Sequence, residues 1–126
     1  MTEPTKEQIK AFWEWCGIKE RFESDTGTWY YHYPNRVNDI ELPPVDLNNL
    51  FKYAVPKFQD MGNPVTLEAY EHKGYLARVY KDCFTQRPDG SYEPFLEPIG
   101  ECKDDDPALA LFWAIWEVIH DKSKDR

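Results

Sequence analysis

The stretch "DPALALFWAIWEVIH", residues 106–120, is the starting point for the fold, because its apolar side chains run without interruption from Ala108 to Trp116. Three interpretations compete: a membrane span, a central core helix, or a helix that keeps one face for a partner. A membrane-spanning helix needs about 20 apolar residues. The stretch is shorter than that, so the sequence predicts no membrane span. Pro107 behind the N-cap Asp106 is typical of a helix start.

A helical wheel separates the two remaining interpretations. Large apolar side chains, Ile115 and Trp116 among them, form one continuous arc over about half of the circumference. Small or polar residues, including Ala110 and Ala114, fill the other half. We therefore predict a core helix that turns its large side chains inward. Trp113 stands at the edge of the small face, so it needs a cover, which the N-terminal segment or a partner chain could supply.

A second helix is predicted for "DLNNLFKYAVPKFQDMG" (46–62), behind an aspartate N-cap. Its apolar residues recur at helical spacing, which places Phe51 and Met61 on the core face and Tyr53 on the polar face. Pro56 lies in the polar face, removes one backbone hydrogen bond and bends the helix. We therefore predict one bent helix.

Strand signals fill the segment between the two helices. The turn "RPDGS" (87–91) separates two of the strands. Pro94 and Pro98 restrict the last strand to a sheet edge or an irregular conformation, because proline cannot donate a ladder hydrogen bond. The predicted strands are 65–71, 75–84 and 92–101.

These elements predict an α+β fold: a small antiparallel sheet of about three strands with helices packed on it, in a layered α-β-β-β-α sandwich. Residues 46–122 form this domain. Residues 1–45 form an N-terminal arm with one short helix, which begins at a capping box of Thr5 and Gln8. Residues 123–126 are predicted to be a disordered tail.

Two segments resemble the phage ABA sandwich domain. "LPPVDLNNLFKYAVPKFQ" (42–59) is similar to the first helix of that family. "DPALALFWAIWEVI" (106–119) is similar to its final helix, which begins with acidic residues and a "PLA" motif. The resemblance covers roughly residues 40–120. It implies a layered α-β-α fold and a phage or prophage origin, and it carries over no catalytic residues.

Charge and cysteine content exclude several classes of function. The net charge of −8 argues against a general nucleic-acid binder and against an anionic membrane surface, since both need clustered Lys and Arg. Cys16, Cys83 and Cys102 show no CxxC spacing, and the N-terminus has no signal-peptide core, so the sequence predicts a cytoplasmic protein with free thiols. Cys83 and Cys102 flank the third strand and could approach each other.

Chemical motifs are sparse. The acids Asp104–Asp106 could form half of a divalent-metal site, but they also suit a helix start, where the dipole favours acids and Asp106 caps. His32, His72 and His120 lie far apart and lack the spacing of metal ligands. No nucleophile motif or phosphate-binding loop occurs. The sequence therefore predicts no catalytic, cofactor-binding or metal-ligating residue, and no cofactor.

The aromatic run "TWYYHYP" (28–34) alternates, so an extended backbone puts Trp29, Tyr31 and Tyr33 on one side. Exposed aromatic side chains are typical of contact surfaces, and buried ones would instead pack the arm onto the domain. With Trp113, these residues form the candidate partner surface of the sequence.

The sequence thus predicts a small phage- or prophage-derived protein, non-enzymatic, that acts as a protein-binding or accessory module. The expected partner is a host or phage protein that meets the acidic surface. Two alternatives remain: a small metal-dependent hydrolase that uses the Asp104–Asp106 cluster, and an acidic decoy of a nucleic-acid-binding host protein.

Overall fold

The structure, a computed structural model, describes residues 3–34, 38–69 and 74–124, and it has two antiparallel sheets and four α-helices in those parts of the chain. The predicted α+β fold, with helices packed on a small antiparallel sheet, is confirmed. The helices are α1 (Lys6–Trp15), α2 (Leu47–Asn49), α3 (Val55–Asp60) and α4 (Pro107–Lys124).

Each sheet has three strands within the described residues. The N-terminal sheet consists of β1 (Lys19–Glu23), β2 (Thr28–His32) and β3 (Asn38–Asp39), in that order. The larger sheet consists of β4 (Val65–Ala69), β5 (Tyr75–Gln86) and β6 (Tyr92–Asp104), with β5 in the centre. The three strands predicted from the sequence are those of the larger sheet. The two prolines of β6 lie on an edge strand, as predicted.

The helix after Asp46 contains a π-helical segment, Leu50–Ala54, between α2 and α3. The Asp46 side chain caps its start by accepting from the Asn49 N–H at 2.8 Å. Pro56 explains the wide turn, because its ring would collide with the carbonyl four residues earlier in a regular α-helix. The Val55 N–H donates to the Leu50 carbonyl, five residues back, which opens the helix at this point.

The π-helical segment also changes which side chains reach the core. The sequence places Phe51 and Met61 on the core face, and this is wrong: Phe51 is 48% exposed and Met61 43% exposed. Tyr53, predicted on the polar face, packs against the core, with its ring 5.4 Å from that of Tyr33. The extra residue in the wide turn rotates the helix phase, which a wheel with a constant angle cannot show.

The α4 helix is the central element of the core. Its small residues Ala110 and Ala114 are fully buried, and Ala114 lies against Gly100 of β6. The wheel assigned these residues to the outer half, so that assignment is wrong. The opposite side of α4 packs on α1, where the rings of Phe112 and Phe12 stack at 4.5 Å. The helix is apolar on most of its surface because both sides are covered. None of the described helices combines the length and the hydropathy of a membrane-spanning segment.

The N-terminal segment is part of the same core. Phe12 and Trp13 are fully buried in the cluster that contains α4. The Lys57 ammonium donates to the Trp15 carbonyl and lies 4.5 Å from the Trp15 ring centroid, which ties α3 to α1. The capping box of α1 forms as predicted. The sequence predicted only one short helix for the arm 1–45 and missed the N-terminal sheet.

The C-terminal helix is longer than predicted. It continues to Lys124, into the segment 123–126 that the sequence assigns to a disordered tail. Residues 125–126 lie outside the described part of the chain.

Candidate functional site

The candidate contact residues Trp29, Tyr31 and Tyr33, which lie on β2 or directly after it, differ in exposure. Trp29 is 60% exposed, and its ring lies 5.0 Å from the ring of Phe22, its partner on β1. Tyr31 is half-buried and packs against the core. Tyr33 is only 7% exposed and belongs to the core. Only Trp29 is available as a large exposed contact residue, and the other two hold the N-terminal sheet on the domain.

The burial of Tyr33 is matched by a hydrogen bond. Its hydroxyl donates to the Glu41 carbonyl at 2.7 Å. Burial, followed by the charge of Asp39, raises the pKa of Tyr33 to about 12. The phenol therefore stays protonated and keeps its role as a donor that fastens the chain after β3 to the domain.

Trp113, the fourth predicted contact residue, lies on α4 beside the helix–helix contact. Its ring meets Phe112 edge to face at 5.1 Å, and its side chain is half-buried against the core. Trp116 is also partly buried, with its ring 6.2 Å from that of Phe112. The wheel placed Trp116 on the core face, but its side chain is not fully enclosed there.

The acids before α4 act on the backbone of the helix start. Asp106 accepts from the Ala108 N–H at 2.8 Å, and Asp104 accepts from the Asp106 N–H at 2.9 Å. These bonds satisfy amide groups that the first turn of a helix leaves without partners. Among the described residues, no group of three or more His, Cys, Asp or Glu is arranged to hold a metal ion.

The predicted approach of two cysteines does not occur. Cys102 of β6 pairs with Ala77, whereas Cys83 of β5 pairs with Phe95. Ala77 and Cys83 are six residues apart on one strand, a separation of about 20 Å. His120 is exposed and stacks on Trp116 at 6.2 Å. His72 lies outside the described residues.

Several exposed apolar side chains lie on a hairpin that extends beyond the core. β4 pairs only with Tyr75–Val79, while β5 and β6 stay paired as far as Gln86 and Tyr92. The outer part, residues 80–98, is about 20 Å long on the β5 strand. From Tyr92 to Pro98 every residue of β6 is exposed. We call residues 80–98 the projecting hairpin.

One face of the projecting hairpin is apolar. Phe84 is 67% exposed, Tyr92 66% and Leu96 50%. The pairs Phe84–Pro94 and Gln86–Tyr92 lie two residues apart, as does Asp82–Leu96, so these side chains share one side of the sheet. A cleft of about 370 Å³ lies between Phe84 and Tyr92. We call this side the apolar hairpin face.

The other face of the projecting hairpin is polar. Arg87 and Glu93 form an ion pair at 3.3 Å, and the Cys83 thiol donates to Glu97 at 3.4 Å. Phe95, 45% exposed, is the large apolar side chain there. The projecting hairpin thus has one apolar face and one mainly polar face.

The hairpin loop is held by turn chemistry. Arg87 N–H donates to the Ser91 carbonyl at 2.7 Å, and the Ser91 hydroxyl donates to Asp89 at 2.6 Å. The same hydrogen bond, with that of the Ser91 N–H, lowers the pKa of Asp89. Gly90 has φ +88°, the left-handed conformation that this loop requires. The turn predicted from "RPDGS" is therefore confirmed.

A second hollow lies on the N-terminal sheet. It has a volume of about 660 Å³, opens widely to solvent and is lined by polar and apolar residues: Glu23, Thr26, Thr28, Tyr30, Asp39 and Ile40. Among the described residues, no group of three His, Cys, Asp or Glu side chains that could hold a metal ion lies in this hollow.

Sequence reasoning found the hairpin turn and its strands but did not recognise the apolar hairpin face. The available signal was the pair of prolines, Pro94 and Pro98, whose even spacing places them on one side of an edge strand together with Tyr92 and Leu96. A strand that alternates and has no helix to cover it is typical of an exposed ribbon.

No family model, no curated protein and no solved structure matches the chain. The resemblance to the phage ABA sandwich domain stays a prediction.

Proposed function

We propose that this chain is a non-enzymatic protein-binding module that contacts another polypeptide through the apolar hairpin face. The observation that carries the proposal is the exposure of Phe84, Tyr92 and Leu96 together on one side of a hairpin outside the core. Contiguous exposed apolar surface of this kind marks interaction sites on monomeric domains. Aromatic side chains dominate the binding energy at such sites.

The phage or prophage origin implied by the resemblance belongs to the same proposal, as does a host or phage protein as partner. Cys16, Cys83 and Cys102 form no disulfide, which fits the reducing cytoplasm. The hairpin face supports protein binding without any assumption about the origin.

Site-specific photo-crosslinking tests the proposal in the cells from which the chain comes. Benzoylphenylalanine replaces Phe84 in one variant and Ile40 in a control, because Ile40 is 70% exposed but lies outside the hairpin. A third variant carries the photo-reactive group at Trp29, the exposed residue of the sequence-predicted surface. We expect a discrete adduct at Phe84 and none at Ile40.

The captured protein is then purified and its affinity measured. Burial of one large apolar side chain is worth about 1.5–3 kcal/mol, so Phe84→Ser should weaken binding about tenfold or more, while Ile40→Ser leaves it unchanged. An adduct at Trp29 alone would move the contact to the N-terminal sheet and overturn the proposal. Equal effects of the two serine variants would do the same.

A further inference from the structure

The two edges of the projecting hairpin differ in what they can bind. On the β6 edge, Pro94 and Pro98 stand opposite Phe84 and Tyr80. At both positions the backbone nitrogen faces away from β5, and proline has no N–H to donate there. The β6 edge therefore lacks two of the donors that an added strand would need. Proline on an edge strand is a known protection against pairing with another chain.

The β5 edge is occupied only at its inner end. The Tyr80 N–H donates to the Pro64 carbonyl at 2.8 Å, and the Asn63 side-chain amide donates to the Tyr80 carbonyl at 3.0 Å. Asn63 lies two residues before β4 begins, and its side chain, rather than a backbone group, bonds to Tyr80. The backbone ladder between β4 and β5 therefore ends here. The buried Asn63 side chain, 8% exposed, is fixed there by this bond.

Beyond Tyr80 the β5 edge is open. Backbone groups of alternate residues point to the same side of a strand, so the N–H and C=O of Asp82, Phe84 and Gln86 point outward, as those of Tyr80 do. Arg87 is an odd-numbered residue, so its N–H points to the opposite side, toward β6, where it donates to the Ser91 carbonyl. In the part of the chain that the structure describes, no backbone group pairs with the outward N–H and C=O groups of Asp82, Phe84 and Gln86. We call Asp82–Gln86 the open edge.

The charge at the open edge is negative. Asp82 lines a hollow of about 240 Å³ with Gln59, Asn63 and residues 62, 64 and 65, where an added strand would meet the start of β4. The projecting hairpin contains four acidic and two basic residues, a net charge of −2, within a chain of net charge −8. A basic side chain opposite Asp82 would form a cross-strand pair of opposite charge.

We propose that the open edge takes an extended peptide strand of the partner protein, with Lys or Arg opposite Asp82 and an apolar side chain opposite Phe84. This inference rests on the proposed protein-binding function and specifies its mode. Strand addition supplies main-chain hydrogen bonds, while the side chains at alternate positions supply specificity. The apolar side chain contacts Phe84 on the apolar hairpin face, so the edge and the face form one site.

The probe is a displayed library of random peptides of about nine residues, selected on the immobilised full chain. We expect the enriched peptides to place Lys or Arg two residues from an aromatic or branched aliphatic residue. Hydrogen exchange followed by NMR then locates the contact. Amides of Asp82, Phe84 and Gln86 should exchange at least about tenfold more slowly in the complex, while the Leu96 amide on the β6 edge is unaffected.

A matched pair of variants isolates the backbone contribution. Gln86→Pro removes one donor from the open edge and none from the ladder with β6, whereas Gln86→Thr keeps the donor. We expect the proline variant to weaken peptide binding about tenfold and the threonine variant to bind like the wild type. Asp82→Asn should weaken binding and reduce its dependence on salt.

The outcomes separate this inference from the proposed function. Crosslinking at Phe84 with equal binding by the two Gln86 variants, or without protection of the three amides, overturns strand addition and leaves protein binding standing. A library that yields no peptide sensitive to Gln86→Pro also overturns the inference. Loss of the Phe84 adduct overturns the proposed function itself.

Discussion

Replacement of Gly100 by alanine should destabilise the fold, because β6 and α4 meet at this glycine without space for a side chain. A Cβ atom on Gly100 would lie 2.3 Å from the carbonyl oxygen of Ala114 and 2.7 Å from Cγ2 of Val118. The first distance is about 1 Å short of ordinary van der Waals contact. The atom it meets is a backbone oxygen of a fully buried residue, so no change of rotamer relieves the overlap.

The cost of this substitution follows from the packing on both sides of α4. To make room, the helix must move away from the sheet, but its other side is held by the stacked rings of Phe12 and Phe112. Overpacking of a core costs about 1–3 kcal/mol, and we expect a loss near 3 kcal/mol for Gly100→Ala because both neighbours are rigid. For a chain of this size that corresponds to a melting temperature lower by about 10 °C.

Chemical denaturation followed by tryptophan fluorescence measures the loss, and thermal melts followed by circular dichroism measure the shift. Gly90→Ala in the hairpin loop is the control, since a Cβ there meets nothing within 4 Å and only the φ of +88° is strained. We expect that control to cost about 1 kcal/mol. If Gly100→Ala melts within about 2 °C of the wild type, α4 does not lie on β6 at Ala114 and our account of the core is refuted.

The remaining predictions concern α4 and one thiol. Phe112→Ala should cost about 3–5 kcal/mol in denaturant melts, whereas Trp113→Ala and Trp116→Ala, both half-buried, should each cost less and differ by under about 1 kcal/mol; a large gap between the two would restore the wheel assignment. Partial burial, and then the hydrogen bond and charge of Glu97, raise the pKa of the Cys83 thiol. A disulfide reagent should therefore modify Cys83 slowly at about pH 8, and Glu97→Gln should lower this pKa and speed the reaction. If Glu97→Gln leaves the rate of Cys83 modification unchanged, Glu97 does not raise the pKa of the Cys83 thiol.

The sequence predicted α4 as a core helix with its large side chains buried, and Leu111, Phe112 and Ile115 are fully buried as predicted. It did not predict that the small side of the helix is covered as well. A wheel ranks faces by the size of their apolar side chains, which favours the side of Ile115 and Trp116. The closest contact with the sheet is made by the small side, because Gly100 lets the Ala114 backbone approach β6. Close approach needs small residues on both elements, and the two lie too far apart in sequence for a local pattern to reveal it.

The N-terminal sheet was missed for a different reason. Every residue of β1, Lys19–Glu23, is exposed, so the strand shows no alternation between core and solvent. On β2 the exposure falls along the strand, from exposed Thr28 and Trp29 to the partly buried residues 30–32, rather than alternating with position. Strand prediction depends on one face that is buried throughout. These strands are defined by their pairing and by contact at one end, which only the folded chain shows.

Local residues predict part of the projecting hairpin, and its position in the folded chain bears on function. Its turn and strand pairing can be predicted from local residues. Its position outside the core depends instead on where β4 begins, and Asn63 marks that point through a side-chain hydrogen bond to the Tyr80 carbonyl. A two-stranded ribbon is only marginally stable in water on its own. Cross-strand pairs and the loop around Asp89 hold its outer half, while Phe84 and Tyr92 remain exposed. Burial of those two rings and pairing of the open edge would stabilise the ribbon as well as the complex. For this reason the exposed rings and the open edge, which destabilise the isolated hairpin, make it suited to bind a partner strand.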